Sequence, residues 1–168
     1  MFCVGGQTVV FVRNCLFVFL VVAAPLVAAA DAVRPFVVGS LAKIVAERQG
    51  KPFVLAFWSV SCTHCPSELK ALGEVRRRNP KLDIVLVAAD TPDEAPLTAR
   101  LAGKYGLGKT AQWVFADEMQ ERLRFEIDQR WHGELPRTYF YDREHRIEIV
   151  SGLVPKQQLL AWVKANSR

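Results

Sequence analysis

The sequence predicts an α/β sandwich, a central mixed sheet flanked by helices. Three observations carry this. Phe53–Trp58 is an uninterrupted apolar run, the mark of a central strand covered on both faces. Stretches with strand and helix patterns alternate in the order β-α-β-α-β, which requires helices packed on a sheet. Two further strand-like stretches at hairpin spacing and a last helix then close the chain.

The elements follow in order. Residues 31–39 form a lead-in containing Pro35. Ser40 is placed to cap a helix running through Leu41, Ile44, Val45 and Arg48. Gln49-Gly50-Lys51-Pro52 ends that helix, and the Phe53–Trp58 strand follows. A short loop leads to Cys62-Thr63-His64-Cys65, which opens the next helix. Its apolar positions Cys65, Leu69, Leu72 and Val75 have helical spacing, Pro66 sits near the first turn, and Asn79-Pro80 stops it near Arg78. Residues 82–88 read as the next strand, 90–93 as a loop, and 96–105 as a helix ending at Gly106. Ala111–Phe115 is a short third strand, and residues 118–131 hold a short helix. Residues 138–141 and 146–151 are the hairpin strands, with a turn at Asp142-Arg143-Glu144-His145. Residues 155–166 form the closing helix with Leu159, Leu160 and Val163 inward.

The 168 residues suffice for one domain with a substantial core. Residues 1–30 stand apart. They are apolar, with Arg13 ahead of the run that starts at Cys15 and Ala28-Ala29-Ala30 at the end. These are the parts of a secretory signal peptide, with cleavage after Ala30. The alternative is an N-terminal membrane anchor, since residues 9–30 are long enough to span a bilayer. Both place the domain, residues 31–168, in the periplasm or otherwise outside the cytoplasm. The net charge is +5, of which Arg13 supplies one, leaving +4 spread over the rest. No basic run interleaved with aromatics is present, so no nucleic-acid partner is expected.

Of the four cysteines, Cys3 and Cys15 fall in the N-terminal segment, so the domain has only Cys62 and Cys65. One pair is not a disulfide-stapled scaffold. A Cys-x-x-Cys after a strand and at a helix N-terminus is the sequence form of a dithiol–disulfide site, because unpaired backbone N–H groups and the helix dipole stabilise a thiolate there. A structural disulfide or half of a zinc site are the other readings. Zinc would need two more ligands, and His64, His132 and His145 are the only histidines. A c-type haem is disfavoured because Pro66, not histidine, follows Cys65. Neither a metal nor another cofactor is expected. His64, as imidazolium, would stabilise a neighbouring thiolate; as a solvated loop residue it would do nothing. Glu68 would raise a thiol's pKa and accept its proton, or else be an exposed first-turn acid. Trp58 reads as a packing residue beside the site.

Four features together resemble the thioredoxin superfamily, in the TlpA/ResA-like branch of extracytoplasmic thiol–disulfide oxidoreductases. They are Phe57-Trp58-x-x-x-Cys62-x-x-Cys65, Glu68, the segment Leu135-Pro136-Arg137-Thr138-Tyr139-Phe140-Tyr141-Asp142, and the extra stretch from Asp90 to Trp131. The resemblance covers residues 36–166 and implies a thioredoxin-like three-layer sandwich. It implies that Cys62 is the nucleophile, that Cys65 resolves the mixed disulfide, and that Glu68 tunes the thiols and relays a proton. Pro136 would be cis, with Leu135 offering its backbone to a client strand and Trp58 and His64 beside it. Reduction of client disulfides is implied, in cytochrome c maturation or at copper-site cysteines, with electrons from a membrane thiol carrier. Three other readings stay open at this point: a copper-binding or delivery protein using His132, a DsbA-like thiol oxidase, and a non-catalytic docking domain. Departures from the family pattern are Ser61 before Cys62, the Thr63-His64 pair, and the bulky Leu135.

Overall fold

The computed structural model describes residues 1–2 and 33–166. The signal-peptide and anchor expectations therefore lie outside the described residues. Among these, no helix is long and apolar enough to cross a membrane.

The strands are β1 (Arg34–Phe36), β2 (Phe53–Trp58), β3 (Asp83–Ala88), β4 (Ala111–Phe115), β5 (Arg137–Tyr141) and β6 (Ile147–Ser151). The helices are α1 (Ser40–Ala46), α2 (Cys65–Arg78), α3 (Ala95–Lys104), α4 (Gln120–Ile127) and α5 (Lys156–Asn166), with a 3-10 turn at Pro92–Glu94. One mixed sheet has the order β1-β4-β3-β2-β5-β6. β1 to β4 are mutually parallel where they pair, and β5 runs antiparallel to both β2 and β6.

β2 explains the layering. Every residue in it is buried, and alternate residues serve opposite faces. Val54, Ala56 and Trp58 pack with Leu69 and Leu72 of α2, Ala102 of α3, and Leu159 and Val163 of α5. Phe53, Leu55 and Phe57 pack with Ile44 of α1 and Leu123 of α4. The expected sandwich with a central mixed sheet is present.

Four local expectations need correction. The lead-in contains β1, which exists through its pairing with β4 (Phe36 opposite Phe115). Ser40 is the first residue of α1 rather than its cap. Gly39 precedes it with φ 87°, and the Ser40 hydroxyl accepts from the Val37 N–H at 2.9 Å. Only a glycine holds that φ without strain. The same helix ends at Ala46, two residues before Arg48. Leu160 points outward, 37% exposed, because the inward face of α5 is set by Leu159, Trp162 and Val163.

Candidate active site

β2 ends at Trp58, and the chain crosses to α2 through residues 59–64 at the edge of the sheet. Cys62 and Cys65 form a disulfide in this crossing. Cys65 is the first residue of α2 and fully buried, whereas Cys62 is half-buried. The Cys65 N–H donates to the Cys62 Sγ at 3.1 Å. This is one of the four helix N-terminal N–H groups that have no partner inside the helix, and it points at the sulfur that reaches solvent. The arrangement stabilises negative charge on Cys62 once the disulfide opens.

Glu68 is one turn further along α2 and only 1% exposed. Its Oε1 accepts from the Thr138 hydroxyl at 3.3 Å and its Oε2 from the Val154 N–H at 3.0 Å. Burial raises its pKa above the ordinary carboxylate value, against the lowering effect of the Val154 and Thr138 hydrogen bonds. The exposed-acid reading of this residue is therefore overturned. Thr138 lies opposite Ala56 in the β2–β5 register, so the carboxyl reaches the sheet beside Ala56.

Leu135 and Pro136 lie at the same edge, since Arg137 pairs with Phe57. The Leu135–Pro136 peptide is cis. Leu135 is half-buried against both cores, and among the described residues neither its N–H nor its carbonyl has a hydrogen-bond partner. Trp58 is buried core, as expected. The His64 side chain is exposed and makes no hydrogen bond or ion pair among the described residues.

Two buried polar groups at the site were not found by sequence reasoning. Asp90, two residues past the end of β3, accepts from the Ser59 hydroxyl at 2.7 Å and from the Val60 N–H at 3.1 Å. Ser59 Oγ also lies 2.9 Å from Ser61 Oγ and accepts from the Ser61 N–H. Asp90 thus pins the crossing that carries Cys62, and burial lifts its pKa. Arg137, next to Pro136, donates to Tyr139 Oη at 2.8 Å, to Ser151 Oγ at 2.6 Å, and to Asp128 at the end of α4. An acid that ends an apolar run, Asp90 after residues 84–89, and an arginine that opens an otherwise uncharged strand, Arg137, were the available signals.

Among the described residues, no three His, Cys, Asp or Glu side chains gather as metal ligands. His132 does not join the two cysteines, and its N–H is bonded to Glu134.

The chain has the thioredoxin fold. It is similar to a secreted Mycobacterium tuberculosis disulfide oxidoreductase homologous to Escherichia coli DsbE, at 26% identity and TM-score 0.57, covering 71% of this chain and 85% of that one. It is also similar to the M. tuberculosis DsbF structure in mixed oxidised and reduced forms, at 24% identity and TM-score 0.56, covering 71% and 83%. A SCO1/SenC family lipoprotein from Bacillus anthracis shares the fold at 15% identity and TM-score 0.54, covering 73% and 85%. No family model matches the chain, and no curated protein matches it significantly. The first of these agrees with a thiol–disulfide oxidoreductase that carries the Cys62–Cys65 pair, and the other two share the fold.

Proposed function

We propose that the protein is an extracytoplasmic thiol–disulfide oxidoreductase that reduces disulfides in client proteins. The observation that carries the direction is the buried Glu68 carboxyl one turn behind the buried Cys65. In the reduced enzyme, the Cys62 thiolate attacks one sulfur of a client disulfide. A Cys62–client disulfide forms and the client's other sulfur leaves as thiolate, taking up a proton. Cys65 then attacks the Cys62 sulfur, releasing the second client thiolate and closing the Cys62–Cys65 disulfide. Cys65 must lose its proton for that step, and Glu68, whose raised pKa suits it to accept one, is the base. The unpaired Leu135 backbone offers the client an edge for added-strand pairing.

Apocytochrome c and copper-site cysteines are the proposed client classes, and a membrane thiol carrier the electron source. Trapping with Cys65→Ala tests the scheme: a stable mixed disulfide through Cys62 is expected, and Cys62→Ser abolishes it. The midpoint potential tests direction. A value near that of thioredoxin, about −270 mV, supports reduction, and one near that of DsbA, about −120 mV, overturns it.

A further inference from the structure

The two poles of the sheet carry opposite charge. β1 to β4 all start at one pole and finish at the other, where Cys62 lies. The loops at the Cys62 pole are rich in acids, among them Asp93, Glu94, Asp117, Glu118 and Glu134. The opposite pole holds exposed Lys51, Arg78, Lys81, Lys109 and Arg143. Each acid in the loops and strand starts of this basic pole already has a cation. Asp83 pairs with Arg48 at 2.9 Å, Glu47 with Arg48 at 3.7 Å, and Asp142 and Glu144 with Arg146 at 2.7 and 3.3 Å. Among the described residues, none of the five exposed cations has an acidic partner. Arg78 complements the C-terminal end of the α2 dipole, but the other four lie in loops, where that explanation does not apply. Lys51, Arg78, Lys81 and Arg143 ring a cavity of ≈ 700 Å³ whose wall includes Leu82 and Trp162.

The chain enters the domain at this same pole, because β1 begins there at Arg34. The residues that precede β1 in sequence include the apolar stretch 9–30. We propose that the basic pole docks on an anionic phospholipid surface, with Cys62 facing away from it. The inference rests on the anchor reading of residues 1–30 for its tether, and on the fold alone for its charge. α2 runs from one pole to the other, so its 14 residues hold the disulfide about 20 Å above the lipid. The acidic rim around Cys62 would be repelled by the same surface, which fixes the orientation.

The experiment binds the full chain to vesicles of phosphatidylcholine alone or mixed with phosphatidylglycerol, then reads lysine acetylation by mass spectrometry. Lys156, at the Cys62 end of α5, is the internal reference. With phosphatidylglycerol present, Lys51, Lys81 and Lys109 should be protected about tenfold relative to Lys156. High salt should remove the protection at all three lysines, and the Lys51→Glu/Lys81→Glu/Arg143→Glu variant should remove it at Lys109, since three cations near such a surface contribute roughly 100-fold in binding. Equal labelling of Lys51, Lys81 and Lys156 on anionic vesicles overturns the docking, as does failure to bind them. Release from neutral vesicles with retention on anionic ones removes the tether and supports the docking. If the variant fails to fold, the salt series on the natural chain decides.

Discussion

Replacing Glu68 by Gln should make the protein slower and more stable at once. Glu68 is 1% exposed, and its two oxygens accept from Thr138 Oγ1 and the Val154 N–H. Gln keeps the shape and satisfies both partners: its carbonyl accepts from Val154, and its amide donates to the Thr138 hydroxyl once that hydroxyl turns. What Gln loses is the charge. The native state holds the Glu68 proton above pH 4.5, where the unfolded chain has begun to release it. Glu68 therefore opposes folding increasingly as pH rises from 4.5 through its folded pKa, with no further change beyond. Glu68→Gln should match the natural protein in urea at acid pH and exceed it at neutral pH. Glu68→Ala should instead lose about 3 kcal/mol, from an orphaned buried N–H and one deleted methylene. Resolution of a Cys62 mixed disulfide, followed by quenched flow from pH 6 to 9, should slow about 100-fold in the Gln variant, at the lower end of general-base effects. A Gln variant that resolves at the natural rate across that range refutes Glu68 as the base. One as unstable as the Ala variant refutes the buried-charge argument.

Three further outcomes follow from the packing. Gly73→Ala puts a Cβ into the Tyr105 carbonyl, a backbone contact that cannot turn aside, so the urea midpoint should drop by the equivalent of about 3 kcal/mol; an unchanged midpoint contradicts this close approach. Arg137→Met leaves Asp128 with only the exposed Arg130 at 3.8 Å, and Tyr139 and Ser151 without a donor, at a cost of about 3 kcal/mol in the same assay. A cost under about 1 kcal/mol would show the pair to be dispensable. Asp90→Ala strips the acceptor from Ser59 and the Val60 N–H, so the Val60 amide should exchange about 30-fold faster, the equivalent of about 2 kcal/mol, while α5 amides are unchanged. Undiminished protection at Val60 would show that Asp90 does not pin the crossing.

The parts of the fold that were legible carry their own pattern. β2 is apolar throughout, α2 repeats its apolar residues at helical spacing, and both stand where the sequence places them. β1 was not legible, because Arg34-Pro35-Phe36 has no period of its own and becomes a strand only against Trp113, Val114 and Phe115. The site divides in the same way. Cys62, Cys65 and Glu68 fall within seven consecutive residues at the start of α2 and just before it, so spacing alone relates them. Asp90 reaches Ser59 from a different strand, 31 residues on, and that meeting exists only after β2 and β3 pair. Leu160 failed for a narrower reason: helical spacing allowed it beside Leu159 and Val163, and the burial of Trp162 turned the face the other way.

His64 and Glu68 looked like opposing influences on one thiol. The fold separates them. His64 stands in solvent at the start of α2, where water and salt weaken its field and where its neighbour is the half-buried Cys62. Glu68 lies in the core on the side of the fully buried Cys65, where a carboxylate's field is weakly screened. Cys62 has an N–H aimed at its sulfur and Cys65 has a carboxyl behind it. In the proposed reaction this gives the two sulfurs different tasks. The outer one is held ready as thiolate to attack, and the inner one keeps its proton until the mixed disulfide forms and Glu68 removes it. A reductase gains from that order, because the outer thiolate reacts with the client disulfide first, and the inner thiol, once Glu68 takes its proton, attacks the Cys62 sulfur and expels the client thiolate.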